Sequence, residues 1–211
     1  MSTNVRNASM NAEQTTTNKM GNVNSNQDYL DFFVSGAVEN QLQIGALFNM
    51  DRSSLSKEQQ LHLDIFLLSY FTGGSTIYEL ATLTQEEVTD KFIFTERFET
   101  GLVATTPNIG LVSEIIDRYR DENDLDYLLP IFLGDETSHI DKQNRADQIT
   151  AYVNKTMRTI AAKLELDGNI SISSNQRIFV EVLLADFAPI DYITELAGCT
   201  EEIVNHYSKL M

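Results

Sequence analysis

The stretch Ile193–Met211, ITELAGCTEEIVNHYSKLM, decides how the rest of the chain is interpreted. Its first apolar residues recur at helical spacing, so they mark one face of a short helix. Gly198 follows, where a turn with a positive φ costs glycine little. Thr200 is a good N-cap for a second helix, and two glutamates in the first turn suit the helix dipole. The stretch therefore predicts two short helices joined by a tight turn.

An earlier stretch, Ile77–Phe94, repeats this pattern when the chain is shifted by 116 positions (193 − 77) without a gap. The match also includes residues before each stretch, which predicts a support helix at 57–72 and another at 174–188. Thr82 stands where the later stretch has Gly198. The matched pairs are Leu67/Leu183, Leu68/Leu184, Phe71/Phe187, Ile77/Ile193, Glu79/Glu195, Leu80/Leu196, Ala81/Ala197, Thr84/Thr200, Glu86/Glu202 and Val88/Val204.

Two helices joined by a short glycine-containing turn resemble the helix-turn-helix superfamily of repressors and winged-helix regulators. In the earlier copy the second helix is predicted to continue through Phe92, Phe94 and Phe98 to Gly101, with a short strand at 102–105 as in a wing. The residues that carry the resemblance in the later copy are Ile193, Thr194, Ala197, Gly198, Cys199, Thr200 and Val204.

This resemblance implies a nucleic-acid-associated regulatory protein, such as a transcription regulator of a phage or mobile element. By analogy, the groove-facing positions of the later copy include Thr200, Asn205 and His206. Lys91 and Arg97 lie near the corresponding positions of the earlier copy.

The charge of the chain favours a different function. The net charge is −16, and residues 1–141 carry 8 Lys and Arg against 22 Asp and Glu. Residues 178–211 carry 1 against 6, so both predicted units lie in acidic segments. DNA binding draws affinity from cations that neutralise phosphates, and an acidic surface opposes it. The alternative is therefore an acidic protein-interaction adaptor, or a structural or assembly subunit of a virus, that uses the same helices as protein interfaces.

One basic segment stands out against this background, because residues 142–177 carry 6 Lys and Arg against 3 Asp and Glu. Most of these cations lie on a helix predicted at 141–166. They could hold phosphates, or an acidic patch on a second copy of the chain, or they form an ordinary solvated face. The six are Lys142, Arg145, Lys155, Arg158, Lys163 and Arg177.

The overall pattern predicts a mainly α protein with tandem helix-turn-helix units and small β-hairpins. We divide it into a disordered polar arm (1–27), a helical domain with a winged-helix-like unit (28–135) and a helical domain with the later unit (136–211). The arm is rich in Asn, Thr and Ser and poor in core-forming residues. A partner protein or self-association is expected, and DNA is a candidate partner.

Several classes of protein are not expected. The sequence contains no apolar run long enough to span a membrane and no signal-peptide pattern. The single Cys199 fits a reducing compartment, so a cytoplasmic location in a microbe or an infected cell is predicted, with a virion as the alternative. We find no nucleophile–base set, phosphate-binding motif or metal-ligand spacing. The chain is therefore predicted not to be an enzyme and to use no cofactor, metal or small-molecule ligand.

Overall fold

The computed structural model describes residues 2–15, 32–33, 39–120, 126–166 and 170–211. The chain is mainly helical with one small antiparallel hairpin, which confirms the predicted class. The elements are α1 (Thr3–Thr15), α2 (Glu39–Asn49), α3 (Lys57–Phe71), α4 (Ile77–Ala81), β1 (Phe92–Glu96), β2 (Val103–Pro107), α5 (Gly110–Tyr119), α6 (His139–Lys163), α7 (Asn175–Ala185), α8 (Ile190–Ala197) and α9 (Glu201–Ser208). Among the described residues, no helix is long and apolar enough to cross a membrane.

Helix α3 is the centre of the molecule. It begins at a capping box in which the Ser56 side chain accepts from Gln59 N and the Gln59 side chain accepts from Ser56 N. Its residues from His62 to Phe71 are all buried, so the helix is covered on every side. It packs against α6 and α7, which bring both halves of the sequence to one core. The division of the chain at residues 135 and 136 stays a prediction.

The earlier predicted unit does not form a helix-turn-helix. Helix α4 ends at Ala81, and only a single 3-10 turn, Gln85–Glu87, stands where a second helix was predicted. The prediction of a helix through Phe92 and Phe94 is wrong, because this aromatic and β-branched segment forms strand β1. The strand predicted at 102–105 is found as β2, paired from Phe92↔Pro107 to Glu96↔Val103. Gly101, at φ +67°, lies in the hairpin turn and does not end a helix.

The later unit forms two short helices, α8 and α9, joined at Gly198 with φ +57°. However, α8 packs on β2, and α9 packs on α7 and α8. A Cβ at Gly198 would lie 2.6 Å from the Ala104 amide nitrogen, so the turn is pressed against the hairpin. The helix pair is an integral part of the core, and a separate helix-turn-helix unit is not shown.

The N-terminal segment contains helix α1, where a disordered arm was predicted. Val5 is buried against Phe94 on the hairpin. The Asn4 side chain donates hydrogen bonds to Glu96 Oε1 at 2.9 Å and to the Gly101 carbonyl at 3.0 Å. Residues 16–27 of the predicted arm lie outside the described residues.

Candidate functional site

A cleft of about 450 Å³ opens where the two predicted repeats meet. Its walls come from the α3–α4 turn, the hairpin turn, the first half of α6, the start of α7 and the α8–α9 turn. Exposed carboxylates of Glu99 and Asp147 contribute to its lining, so its electrostatic character is acidic. Further lining residues are Thr76, Tyr78, Phe98, Thr100, Gln143, Thr150, Gln176, Cys199, Thr200 and Ile203.

Arg97 lies at the inner wall of this cleft, and the protein itself uses its guanidinium. Nη1 donates to Ser75 Oγ at 2.9 Å and to Glu79 Oε2 at 3.0 Å. Nη2 donates to the Gly73 and Ala197 carbonyls, both at 2.7 Å, and Nε also donates to the Ala197 carbonyl. The side chain is buried, and this set engages each of its nitrogens. Arg97 was predicted to contact nucleic acid, but its donors are directed into the protein.

A second arginine lies at a more open position on α7. Arg177 is 40% exposed, and its Nη1 donates to Glu181 Oε1 at 3.2 Å, one helical turn later. The half-buried Tyr207 on α9 is close enough to both to respond to their charges. Burial is the main cause that raises the pKa of Tyr207, and Cys199 and Glu181 add to the rise, whereas Arg177 opposes it. Where α7 and α9 pack together, a phenol hydroxyl, a cation and a carboxylate therefore lie in one electrostatic environment.

The protonation states in this cluster follow from its burial. Because its pKa is raised above the ordinary value near 10, Tyr207 carries its proton at neutral pH. Burial also raises the pKa of the Cys199 thiol to about 11. The thiol is therefore not a nucleophile at neutral pH, since the thiolate is the reactive form.

The basic helix separates into two halves. In the first half, the cations are engaged within the protein. Lys142 Nζ donates to the Tyr127 hydroxyl at 2.9 Å, which is the main cause that raises its pKa. Arg145 donates to the Ile131 carbonyl at 3.0 Å and to Gln148 at 2.7 Å.

In the second half of α6, the cations have no side-chain partner among the described residues. Lys155, Arg158 and Lys163 are exposed, and their side chains form no ion pair or hydrogen bond with the described residues. They extend over about 12 Å at 1.5 Å per residue. Arg158 lies three helical turns after Asp147, a residue of the cleft lining, so these two side chains share one stripe of α6. We call Lys155, Arg158 and Lys163 the basic face.

The other predicted contact residues do not join this face. Thr200 is half-buried in the cleft lining, and a hydrogen bond with it is the main cause that lowers the pKa of Glu202. Asn205 and His206 are exposed on α9, and the His206 ring lies 5.8 Å from the Tyr207 ring. Lys91 is exposed beside the start of β1.

On sequence spacing alone, Tyr207 belongs to the apolar stripe of the last helix. The i, i+4 spacing of Arg177 and Glu181 was available as a signal of an ion pair. The proximity of Arg177 and Glu181 to Tyr207 could not be inferred from the sequence, because it depends on how α9 packs against α7.

No protein-family model and no curated protein sequence matches the chain. Solved structures of integrases do match its fold. A Tn1549 transposon integrase in complex with transposon right-end DNA has a TM-score of 0.53 at 14% identity, covering 79% of this chain and 59% of that one. A lambda integrase dimer bound to a COC' core site has a TM-score of 0.50 at 13% identity, covering 87% and 64%. The chain thus spans about three fifths of the length of these integrases.

These similarities overturn two predictions. The resemblance to the helix-turn-helix and winged-helix superfamily is wrong, because the paired helices and the hairpin are parts of one larger fold shared with integrases. The prediction of a chain that is not an enzyme is corrected as well, since integrases are the enzymes that share this fold. At 13 and 14% identity the similarity establishes the fold: this chain folds as the matching part of the lambda and Tn1549 integrases do.

Proposed function

We propose that this chain is a DNA-associated protein of recombination, in which the basic face binds DNA phosphates and Tyr207 attacks the DNA backbone. The shared fold is the observation that carries the proposal. The matching structures are integrases described as bound to a core site, to transposon right-end DNA and to circular-intermediate DNA. Because one fold can support several functions, the proposal also depends on residues of this chain.

The charge of the chain limits how DNA can bind. A net charge of −16 repels DNA over most of the surface, so phosphate contacts concentrate where free cations lie. The basic face supplies three. Neutralising three phosphates of B-DNA gives a slope of log K against log salt of about −3. Binding should therefore be weak and only moderately sensitive to salt.

The chemistry follows from the cluster on α7 and α9. The Tyr207 oxygen would attack a backbone phosphorus, forming a phosphotyrosine bond and breaking one bond from phosphorus to a deoxyribose oxygen. The tyrosine proton passes to Glu181 or water, and the departing deoxyribose oxygen takes up a proton. Arg177 would stabilise the charge that develops on the phosphate oxygens. The product still has two ester bonds to phosphorus, one to Tyr207 and one to deoxyribose, so attack by a free deoxyribose hydroxyl can displace Tyr207 and rejoin a strand.

The DNA contact is tested by fluorescence anisotropy with labelled duplexes of randomised sequence at two salt concentrations. The double variant Lys155→Ala with Arg158→Ala should weaken binding and reduce the salt slope by about 2. The matched control is Lys57→Ala with Lys209→Ala, which removes the same charge from exposed positions outside the basic face.

The control variant should bind nearly as the natural chain does, because its lost cations contribute only to the overall charge. Equal losses in both double variants would show that binding reflects net charge alone and would contradict the assignment of the basic face. No binding at the lower salt concentration would contradict a DNA-associated function.

A further inference from the structure

Phe187, just after α7, combines an unfavourable backbone conformation with an exposed ring. Its φ is +58°, in the left-handed region that normally favours glycine. Its amide donates to the Leu184 carbonyl, and the Ala188 amide donates to the Leu183 carbonyl, both at 3.0 Å, so the turn is well formed. The residue is 93% exposed. Phe71, the residue matched with it by the sequence repeat, is buried.

Among the described residues, no aromatic contact or hydrophobic cluster offsets the cost of the strained backbone and exposed ring of Phe187. The Phe187 ring contacts no other described aromatic ring and belongs to neither hydrophobic cluster. Glu165 has a similar φ of +55° after α6, but it exposes a charged side chain to water. Phe187 therefore retains backbone strain and exposes a ring to water, a combination typical of a contact made outside the chain. Ile190, 39% exposed, lies three residues further on.

The charges around Phe187 indicate which kind of partner its ring contacts. Asp186 is exposed beside Phe187, and residues 178–211 carry 1 Lys against 6 Asp and Glu, so DNA would be repelled. A complementary surface exists on α6 of the same chain. Tyr152, Lys155 and Lys163 occur at i, i+3 and i+11 and share one exposed stripe, and Tyr152 is 44% exposed.

We propose that Phe187 binds the α6 stripe of a second copy of this chain. The ring packs on Tyr152 and on the aliphatic stem of Lys155, while Asp186 faces the Lys155 ammonium group. The two surfaces differ, so the contact is head-to-tail and can extend to further copies or close into a ring. It rests on the proposed function in one respect: DNA and the second copy would compete for Lys155.

The first test is sedimentation velocity over a range of protein concentrations without DNA. The natural chain should associate reversibly, and Phe187→Gly should raise the dissociation constant about tenfold or more. Glycine also relieves the strained φ, so this variant should melt at an equal or higher temperature under conditions where both proteins are monomeric. Glu165→Gly is the matched control, because it relieves the same backbone strain and should leave association unchanged.

The second test exchanges charges. Asp186→Lys and Lys155→Asp should each weaken association, and the two together should restore part of it. A natural chain that stays monomeric at all concentrations, or association that is unchanged in Phe187→Gly, overturns the proposal. Charge variants without effect overturn the α6 stripe as the docking surface. A natural chain that binds DNA but does not associate contradicts this contact alone, whereas a natural chain that associates but does not bind DNA contradicts only the proposed function.

Discussion

The two stretches that match in sequence begin alike and end differently. Helices α4 and α8 both bury their apolar faces. The next residue is Thr82, with φ −96°, in the first stretch and Gly198, with φ +57°, in the second. A second helix follows only Gly198, whereas a 3-10 turn and the hairpin follow Thr82. Apolar spacing therefore predicts which face is buried, but the turn residue and the segment after it determine the next element.

The two stretches also pack into one hydrophobic core. Arg97 comes from the hairpin that follows the first, and it bonds the carbonyl of Ala197, the last residue of α8 in the second. This contact joins residues 100 positions apart. The sequence repeat is therefore better understood as two similar stretches joined by one arginine than as two independent units.

Breaking this link should have the largest effect. Arg97→Ala would leave the Glu79 carboxylate buried without its partner and would remove the donors to the Gly73 and Ala197 carbonyls. Removing one partner of a buried ion pair costs about 3–5 kcal/mol. Urea unfolding measures the loss. The matched control, Arg120→Ala, removes an exposed pair with Asp117 and should cost less than about 1 kcal/mol. Similar losses in the two variants would refute the central role of Arg97.

The turn residues provide the next test. Gly198→Ala forces alanine to φ +57° and places its Cβ 2.6 Å from Ala104 N, so it should destabilise by about 2 kcal/mol or more. Thr82→Ala at the matched position loses hydrogen bonds to the Tyr78 and Glu79 carbonyls and should cost about 1 kcal/mol. Thermal unfolding compares the two. A smaller cost at Gly198 than at Thr82 would show that the turn conformation does not distinguish the stretches.

The smallest effect concerns acid stability at the start of α9. A hydrogen bond with Thr200 lowers the folded-state pKa of Glu202 below its usual 4.5. The stabilisation is therefore present above pH 4.5 and is lost as the pH falls through the folded pKa. In the other stretch, the Thr84 hydroxyl donates to Glu87 instead. Glu202→Gln should make the unfolding free energy depend less on pH below 4.5. In a Thr200→Ala background, the same change should have little further effect, and an undiminished effect there would exclude Thr200 as the cause.

Several elements could be predicted because their signals are local. The helix predicted at 57–72 is close to the observed bounds of α3, and the strand predicted at 102–105 overlaps β2. The earlier stretch was misassigned because its match to the later stretch was weighed above the β-branched and aromatic content of residues 92–96, where Phe92 and Phe94 have the two-residue spacing of a strand. Three-residue and four-residue spacings alone do not exclude a strand.

The site could be predicted only in part. Spacing on α6 singled out Lys155, Arg158 and Lys163 as phosphate contacts, which stays a prediction; in the structure they are exposed and pair with none of the described residues. Sequence spacing could not predict that Lys142 donates a hydrogen bond to Tyr127, or that Arg97 donates to carbonyls in two turns that are distant in sequence. Those contacts depend on tertiary packing, as does the position of Tyr207 beside Arg177. The integrase fold itself became evident only from the arrangement of helices around the hairpin.

The most direct test of the account is a search for a covalent bond between Tyr207 and DNA. End-labelled duplexes of randomised sequence are incubated with the full chain, and the proteins are then separated under denaturing conditions. We expect label to remain on the natural chain and to be absent from Tyr207→Phe, with Arg177→Ala reducing it about a hundredfold. Label that persists in Tyr207→Phe, or no labelled protein under conditions where DNA is bound, would contradict strand attack by this tyrosine.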